Sequence, residues 1–283
     1  MENERQEALD PASKIAVALV DCVTAAGQLA RGHLSGPVAS KYLSEALAGV
    51  ALLGVETSQP EETVTFRLDA TDSALGGFLV EATEKGTLRG YTKKKILGDF
   101  DGMGEPKDSE ILGKTGTFEV IRSVPGEILA SGAVGVAFTG KNGFIAQGLD
   151  AYFAQSLQRR VKTALVGAAG DDGMPVLARG VMVECPPDGD AAVYESIAGL
   201  FASSVAAKAI SGASLSFRSV LKKLGLPNAE IRRTSPISFA CRCSPSRASA
   251  LLAALPPEQR KTLPATVDVT CHMCGRTWQV TTV

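Results

Sequence analysis

The sequence has almost no net charge. Its 283 residues carry 29 Lys and Arg against 30 Asp and Glu, which gives a formal net charge of −1. A large positive excess draws a protein to nucleic acid over long range, and the total charge here predicts no such capture. The hydrophobic fraction of 45% does not fit a disordered tail or a polybasic arm. A chain of this length and composition is therefore expected to bury one large core or two smaller ones.

Long apolar runs and a targeting signal are missing as well. We expect no apolar run of roughly 18 residues, the length that spans a bilayer, and the N-terminus Met1–Arg5 is acidic rather than basic. A membrane partner, a secretory signal and an Arg-rich transit peptide are therefore not predicted. Six cysteines in so long a chain are too few for a secreted disulfide scaffold. The predicted compartment is the cytoplasm, with an organelle as the alternative.

What the sequence does contain is two close cysteine pairs near its C-terminal end. Cys241 and Cys243 form a Cys-x-Cys pair, and Cys271 and Cys274 form a Cys-x-x-Cys pair that Gly275 follows. Two such pairs match the tetrahedral sulfur set that structural zinc prefers. An extended first pair turns both sulfurs to one side, and the glycine allows the tight turn after the second pair. Sulfurs that share one ion are also candidates for disulfides, so a zinc site and a redox switch can be the same object.

Apolar periodicity predicts an α+β fold with a mostly antiparallel sheet. Helical spacing occurs in Val38–Val55 and in Ile145–Leu157. An ordered element is expected within residues 11–32, and a Gly- and Pro-rich loop over Gly98–Asp108. Alternation predicts strands, two of which form a hairpin around Glu84–Gly86. The predicted strands are Thr63–Leu68, Gly77–Ala82, Thr87–Tyr91, Gly116–Ile121, Ala133–Phe138, Val161–Val166 and Val176–Val183.

Composition divides the chain into three parts. Residues 1–187 are the predicted α+β core domain, which ends at the turn residues Pro186–Gly189. Residues 188–238 are a predicted metastable helical linker, with two or three short helices on a thin apolar stripe followed by an extended segment. Residues 239–283 are the four-cysteine module, in which we expect one short helix over Ser246–Leu255 and a small hairpin around the second cysteine pair.

Motifs along nearly the whole chain carry a family resemblance. The most specific is the cysteine block, with Phe239 before the first pair, Gly275 after the second pair and an aromatic residue at Trp278. Upstream motifs follow in the family's order: Leu88–Tyr91, Leu112–Phe118, Asp150–Ser156 and Gly180–Glu184. Taken together, these residues resemble the heat-shock protein 33 family of redox-regulated holdase chaperones.

This resemblance implies a mechanism. In the reduced, inactive form one zinc ion would be bound by Cys241, Cys243, Cys271 and Cys274. Oxidation would form Cys241–Cys243 and Cys271–Cys274 disulfides, release zinc, unfold the module and linker, and expose apolar surface to unfolding client proteins. Such a chaperone binds its clients without ATP and is not an enzyme, and the resemblance implies a homodimer when it is oxidised. Arg242 and Arg276, next to the ligands, are expected to favour the charged sulfur.

Other functions fit parts of the same pattern. A purely structural zinc module, a nucleic-acid-binding zinc ribbon or an interaction module would also use four cysteines. A thiol–disulfide oxidoreductase would place its Cys-x-x-Cys at a helix N-terminus, whereas a strand is expected here. A zinc hydrolase needs an open coordination position, which four thiolates do not leave. The basic and aromatic residues that a zinc ribbon would offer to nucleic acid are few: Arg242, Arg247, Arg260, Lys261, Arg276 and Trp278.

The remaining candidate residues are assigned no chemistry. Cys22 and Cys185 lie in apolar sequence and are expected to be buried, inert thiols. His272 is expected to be an exposed neighbour of a complete sulfur set, and His33 has no predicted function. Gly113–Thr115 superficially resembles a phosphate-binding loop, but it lacks the earlier glycine and a strand is expected after it.

Overall fold

The computed structural model describes residues 3–103, 106–140 and 143–282. In this part of the chain there are two large sheets and one small hairpin, and all pairings are antiparallel except that of one two-residue strand. The predicted α+β class with antiparallel sheets is confirmed. The strands are β1 (Glu4–Leu9), β2 (Ala16–Asp21), β3 (Thr63–Ala70), β4 (Gly76–Thr83), β5 (Thr87–Thr92), β6 (Thr115–Val124), β7 (Glu127–Ala137), β8 (Arg160–Ala169), β9 (Pro175–Cys185), β10 (Glu230–Pro236), β11 (Ser238–Phe239), β12 (Thr266–Thr270) and β13 (Thr277–Thr281).

Helices cover the sheets and connect them. Short 3-10 turns follow the second helix and lie in the predicted loop, at Gly54–Glu56 and Gly98–Gly102. Residues 104 and 105 of that predicted loop lie outside the described residues. The helices are α1 (Val23–His33), α2 (Pro37–Leu53), α3 (Asp108–Ile111), α4 (Phe144–Gln155), α5 (Ala191–Ala202), α6 (Val205–Ile210), α7 (Phe217–Lys223), α8 (Pro245–Ala253) and α9 (Pro257–Lys261).

The five-stranded sheet has the order β10-β1-β2-β9-β8, and its strands β2 and β9 are largely buried on both faces. Successive residues of β2 alternate between two cores, with Val17 and Leu19 in one and Ala18 and Val20 in the other. The last part of the predicted linker, expected only to be extended, forms β10 and pairs with β1. The N-terminal strand and the approach to the cysteine module are therefore neighbours in one sheet.

The six-stranded sheet has the order β11-β5-β4-β3-β6-β7 and packs one face on α2 and α4. Phenylalanine rings fill this interface, with Phe66 and Phe78 centroids 5.2 Å apart and Phe118 and Phe144 centroids 5.3 Å apart. Edge-to-face contacts of this kind are favourable beyond the area that they bury. The predicted hairpin of β4 and β5 lies in this sheet.

Helix α2 is the centre of the larger core. It begins with Pro37 at its first turn, and nearly every side chain along it is buried because sheets lie on both sides. The stretch Pro37–Glu56 is long and apolar enough to cross a membrane by length and composition, contrary to our expectation that no such run exists. However, 89% of its most apolar window is buried inside the protein. The helix therefore has the surroundings of a core helix.

A second core lies between the five-stranded sheet and helices α5, α6 and α7. We expected a thin apolar stripe there, but Tyr194, Phe201 and Phe217 are all at most 5% exposed. They pack with Ile197, Val220, Leu221 and Leu224 against strands β2 and β9. The predicted linker helices thus cover the apolar outer face of the core sheet.

The C-terminal module is small and shallow. It consists of α8, α9 and the β12–β13 hairpin, in agreement with the predicted helix and hairpin, and residue 283 lies outside the described residues. Among its described residues, 239–282, only Ala248, Cys274 and Val280 are buried. The module therefore has almost no hydrophobic core of its own.

Candidate metal centre

The first cysteine pair is positioned by a strand of the core. Strand β11 runs parallel to β5, and the Ser238 and Ala240 amides donate to the Gly86 and Leu88 carbonyls at 3.1 and 3.2 Å. The chain passes very close to Gly86, where a Cβ atom would lie 2.1 Å from the Pro236 carbonyl oxygen. This approach requires glycine, and it brings the chain that leads to the first pair alongside β5.

The second cysteine pair forms a tight turn after β12. The Cys271 carbonyl accepts hydrogen bonds from the Cys274 amide at 3.3 Å and the Gly275 amide at 2.8 Å. Gly275 has a φ of +72°, as its predicted role requires, and its Cα touches α1 so closely that a Cβ atom would lie 2.0 Å from the Gly32 oxygen. The turn is thus packed on the C-terminal end of α1.

The four sulfur atoms meet at one point. All four lie within 4.8 Å of one another, with 3.8 Å between the Sγ atoms of Cys241 and Cys271 and 3.5 Å between those of Cys243 and Cys274. Both of these contacts join a sulfur of one pair to a sulfur of the other, so the cluster joins the two halves of the module. Four converging sulfurs could hold a metal ion.

The core contributes a charged side chain to this cluster. Arg89 of β5 lies 4.0 Å from the Cys241 sulfur, and it is held there by Glu81 of β4, whose carboxylate accepts from Arg89 at 2.6 Å. Arg242 instead pairs with Glu81 at 3.6 Å, and Arg276 stacks on Trp278 with 5.4 Å from its guanidinium carbon to the ring centroid. Sequence reasoning named the two neighbouring arginines and missed Arg89, because 152 residues separate it from Cys241.

Strand β5 and helix α1 also bind the second pair. The Gly90 amide donates to the Met273 carbonyl at 3.0 Å, and the His33 Nε2 donates to the Gly90 carbonyl at 3.0 Å. Burial, with a further contribution from Lys95, lowers the pKa of His33 to about 4, so this imidazole is neutral near pH 7. His33, to which no function was assigned, therefore lies at the junction between core and module.

The sequence matches a known protein family over nearly its whole length. The family model described as Hsp33 protein matches residues 4–281. This chain belongs to the Hsp33 family. The identification made from the cysteine block and the upstream motifs is confirmed, and membership supports a chaperone function.

Relatives of the Hsp33 family match over most of their length. The 33 kDa chaperonin of Symbiobacterium thermophilum is 30% identical over 88% of this chain and 84% of its own length. That of Geobacillus sp. is 23% identical over 89% of this chain and 85% of its own. The crystal structure of the Hsp33 homologue from Thermotoga maritima covers 100% of this chain with a TM-score of 0.80 and 18% identity, which shows the shared fold. The names of these relatives describe chaperones, which are not a class of enzyme.

The thiols of this Hsp33-family site differ in acidity when no metal is bound. Burial alone would raise the pKa of Cys241, but hydrogen bonds with the Cys243 backbone, the neighbouring thiols and Arg89 outweigh it and lower this pKa to about 7. Burial raises the pKa of Cys274 and also that of Cys271. Cys241 is therefore more acidic than Cys271 and Cys274, and the Arg89 cation beside it comes from the core.

Other candidate residues lie apart from the cluster. Cys22 and Cys185 are buried, as predicted, and burial raises the pKa of Cys22 so that this thiol stays protonated. His272 is exposed, as predicted, and its ring meets the Tyr91 ring edge-on at 6.1 Å between centroids. In the basic set, Arg247 donates to the Arg242 carbonyl. Cys22, Cys185 and His272 are not among the residues whose ligand atoms converge in the cluster.

Proposed function

We propose that this chain is a redox-regulated, ATP-independent holdase chaperone whose reduced form binds one zinc ion through Cys241, Cys243, Cys271 and Cys274. The observation that carries the proposal is the convergence of four sulfurs, all within 4.8 Å, in a module with three buried side chains among its described residues. A module with so few buried side chains would depend on a bound metal for its stability. The binding free energy of structural zinc in peptides, which is also folding free energy, is roughly 10–16 kcal/mol.

The sulfur geometry supports zinc as the ion. Tetrahedral zinc with bonds of about 2.3 Å to thiolate places neighbouring sulfurs about 3.8 Å apart. The two measured close distances are 3.8 and 3.5 Å. Four thiolates fill the coordination sphere, so such an ion would serve as a cross-link that also keeps the sulfurs ionised.

Oxidation would convert the four thiolates into two disulfides. Each disulfide forms as two thiolates give up two electrons, and one hydrogen peroxide molecule accepts them and takes up two protons from the solvent to give two molecules of water. Pairing within the sequence neighbours, Cys241 with Cys243 and Cys271 with Cys274, would leave the two halves of the module unconnected. Disulfides between the first and the second cysteine pair would instead join the two halves of the module covalently. Only disulfides within each pair would therefore let the module unfold.

Unfolding of the module would free the surface that clients need. Helices α5, α6 and α7 cover an apolar sheet face that includes Val17, Leu19, Val181 and Val183. Strand β10 connects these helices to the module and holds this end of the cover by pairing with β1, so unfolding that spreads from the module through β10 would remove the anchor. An apolar face exposed in this way binds unfolding proteins without catalysis.

The cytoplasm is the proposed compartment, and a homodimer is the proposed oxidised state.

A coupled measurement tests this function. Zinc release after peroxide treatment at raised temperature would be followed together with aggregation of a thermally unfolding client. The oxidised, zinc-free protein should suppress aggregation and the reduced protein should not. Cys271→Ser should weaken zinc binding and loosen the linker even when reduced, whereas Cys185→Ala, a buried thiol outside the cluster, should leave zinc content unchanged.

The same experiment has clear contrary outcomes. If the oxidised and reduced forms hold clients equally well, the redox switch is wrong. Unchanged zinc affinity in Cys271→Ser would contradict the ligand assignment. Peptide mapping of the oxidised protein should find the two neighbour disulfides, and disulfides between the two pairs would rule out the unfolding step.

A further inference from the structure

Among the described residues, the outer edge of β5 is bonded to Ser238 and Ala240, to Met273 of the cysteine module and to His33 of α1. Its outward backbone groups are bonded in turn: the Gly86 carbonyl to Ser238, the Leu88 carbonyl to Ala240, the Gly90 amide to Met273 and the Gly90 carbonyl to His33. Three of these four bonds come from residues of β11 and the module. An unfolded module would thus remove the partners of Gly86, Leu88 and the Gly90 amide along this edge, while His33 of α1 would still bind the Gly90 carbonyl.

The present occupant of the edge shows what fits there. Strand β11 is an extended segment of only two residues, Ser238–Phe239, and it pairs in parallel through main-chain bonds. The side chain of Ser238 is exposed and that of Phe239 is only partly buried. Recognition at this edge therefore depends on an extended backbone more than on particular side chains.

Other strand edges do not share this dependence on the module. Strand β7, at the opposite edge of the same sheet, has no covering strand among the described residues and is largely exposed. It is equally available in reduced and oxidised protein. Strand β10, at the edge of the other sheet, carries Glu230, Arg232 and Arg233, and charged edges resist pairing. Arg89, the charged residue of β5, is held on the sheet face by Glu81.

We propose that release of the cysteine module uncovers the edge of β5 at residues 86–91, and that an extended segment of an unfolding client adds to the sheet there through backbone hydrogen bonds. The inference rests on the proposed redox-controlled chaperone function and assigns one of its client contacts. Strand addition of this kind is nearly independent of sequence, which suits a protein that must hold many clients. It complements, and does not replace, apolar contacts with the sheet face that α5–α7 cover.

Amide hydrogen exchange of the full chain tests the proposal in three states: reduced with zinc, oxidised, and oxidised with a thermally unfolded client. Exchange at the Gly90 amide should speed up by at least about tenfold on oxidation and slow down again when client is bound. Amides of β7 at residues 131–135 serve as the control edge and should keep the same exchange in all three states. Aggregation of the client is followed in the same samples.

The outcomes separate this proposal from the function on which it rests. If the oxidised protein suppresses aggregation while Gly90 stays unprotected with client, the chaperone function stands and the β5 edge is not a client contact. If Gly90 regains protection without client while the molecular mass doubles, the edge pairs with a second copy and the proposal is overturned. Absence of any client capture by the oxidised protein would instead overturn the proposed function itself.

A substitution in β11 gives an independent test. Ser238→Pro removes the amide that donates to Gly86, while Ser238→Ala keeps it and serves as the matched control. With zinc still bound, the reduced proline variant should lose the pairing of β11 with β5 and capture more client than the alanine variant. Equal capture by the two zinc-loaded variants, with the β11–β5 pairing lost in the proline variant, would contradict the proposal.

Discussion

Arg89 is the residue through which the core contacts the sulfur cluster. Its guanidinium is 17% exposed and is held by the equally buried Glu81, so its position beside Cys241 is well defined. A charge-assisted N–H bond to a thiolate is stronger than a neutral one and stabilises the ionised sulfur. Arg242, although adjacent in sequence, is 52% exposed and lies farther from Glu81.

Replacing Arg89 should weaken the cluster. Arg89→Leu removes the cation next to Cys241 and leaves Glu81 without its main partner, so we expect faster loss of zinc from the reduced protein under a chelator. The matched control is Arg242→Leu, for which the change should be small because exposed ion pairs contribute about 0–1 kcal/mol. Zinc release would be followed with a colorimetric chelator. Equal release rates for Arg89→Leu and the unmodified protein would contradict this role.

Glu45 is expected to make the stability of the folded protein depend on pH. This carboxyl on α2 is 8% exposed, and burial raises its pKa to about 8, although nearby Lys41 acts in the opposite direction. The folded state therefore keeps a proton that the unfolded state releases near its usual pKa of about 4.3. Stability should fall as pH rises from about 4.5 to 8 and should level off above that.

The contribution of Glu45 can be isolated by substitution. Glu45→Gln stays uncharged, so its unfolding midpoint in urea should fall less between pH 6 and pH 8.5 than that of the unmodified protein. The control is Glu258→Gln, whose side chain is 84% exposed and should not change the pH profile. An identical pH profile for Glu45→Gln and the unmodified protein would show that Glu45 is ionised throughout this range.

At the scale of elements, a buried ion pair fastens the linker helices to the core. Arg179 of β9 donates to Asp21 of β2 at 2.8 Å and to the carbonyls of Ile210 and Gly212 at 3.1 and 2.5 Å. The side chain of Arg179 is only 8% exposed and that of Asp21 is fully buried. The cation thus satisfies the C-terminal end of α6, where the helix dipole favours positive charge.

Removing this cation should loosen the linker in the reduced protein. Arg179→Met leaves Asp21 as a buried unpaired charge, which costs about 3–5 kcal/mol, and frees the end of α6. We expect faster tryptic cleavage at the exposed Lys208 and a lower unfolding midpoint. Arg232→Met, at a pair more than half exposed, is the control and should cleave like the unmodified protein. Unchanged cleavage at Lys208 in Arg179→Met would mean that apolar packing alone holds α6.

At the scale of the whole molecule, the parts of the chain differ in how much apolar surface they bury. One core lies between the two large sheets around α2, and a second lies under α5–α7. The cysteine module has little buried surface and touches the core mainly through β5 and α1. The part with the least packing therefore carries the chemistry that is proposed to change.

Metal removal should unfold the module and spare the core. Reduced protein stripped by a strong chelator, with its thiols then alkylated, should be cleaved by trypsin first at Arg247, Arg260 and Lys261. The sheets should persist, because most of their stability comes from buried apolar side chains. Circular dichroism and the tryptic map would be compared with those of the zinc-loaded protein. Loss of all structure in one step would contradict this division.

Much of this arrangement could be predicted from local sequence. Alternating apolar residues predicted the strands around Phe66 and Val181, helical spacing predicted α2, and paired cysteines predicted the sulfur cluster. Each of these signals lies within a few residues, so the backbone period or the ligand spacing is enough to reveal it. The sequence pattern underestimated the apolar volume of the second core. Its large side chains, Tyr194, Phe201 and Phe217, are spread among small residues, so the apolar stripe looked thin.

Local sequence by itself therefore determined many of the elements, the sulfur set and the family. Only the tertiary structure decided what the cluster is attached to: Arg89 beside Cys241, His33 on Gly90, and β11 along β5. The same is true of β10 beside β1, which joins opposite ends of the chain. These contacts bridge tens to hundreds of residues, and no local period or spacing encodes a partner at that distance. They form because burial of the two cores brings those segments together.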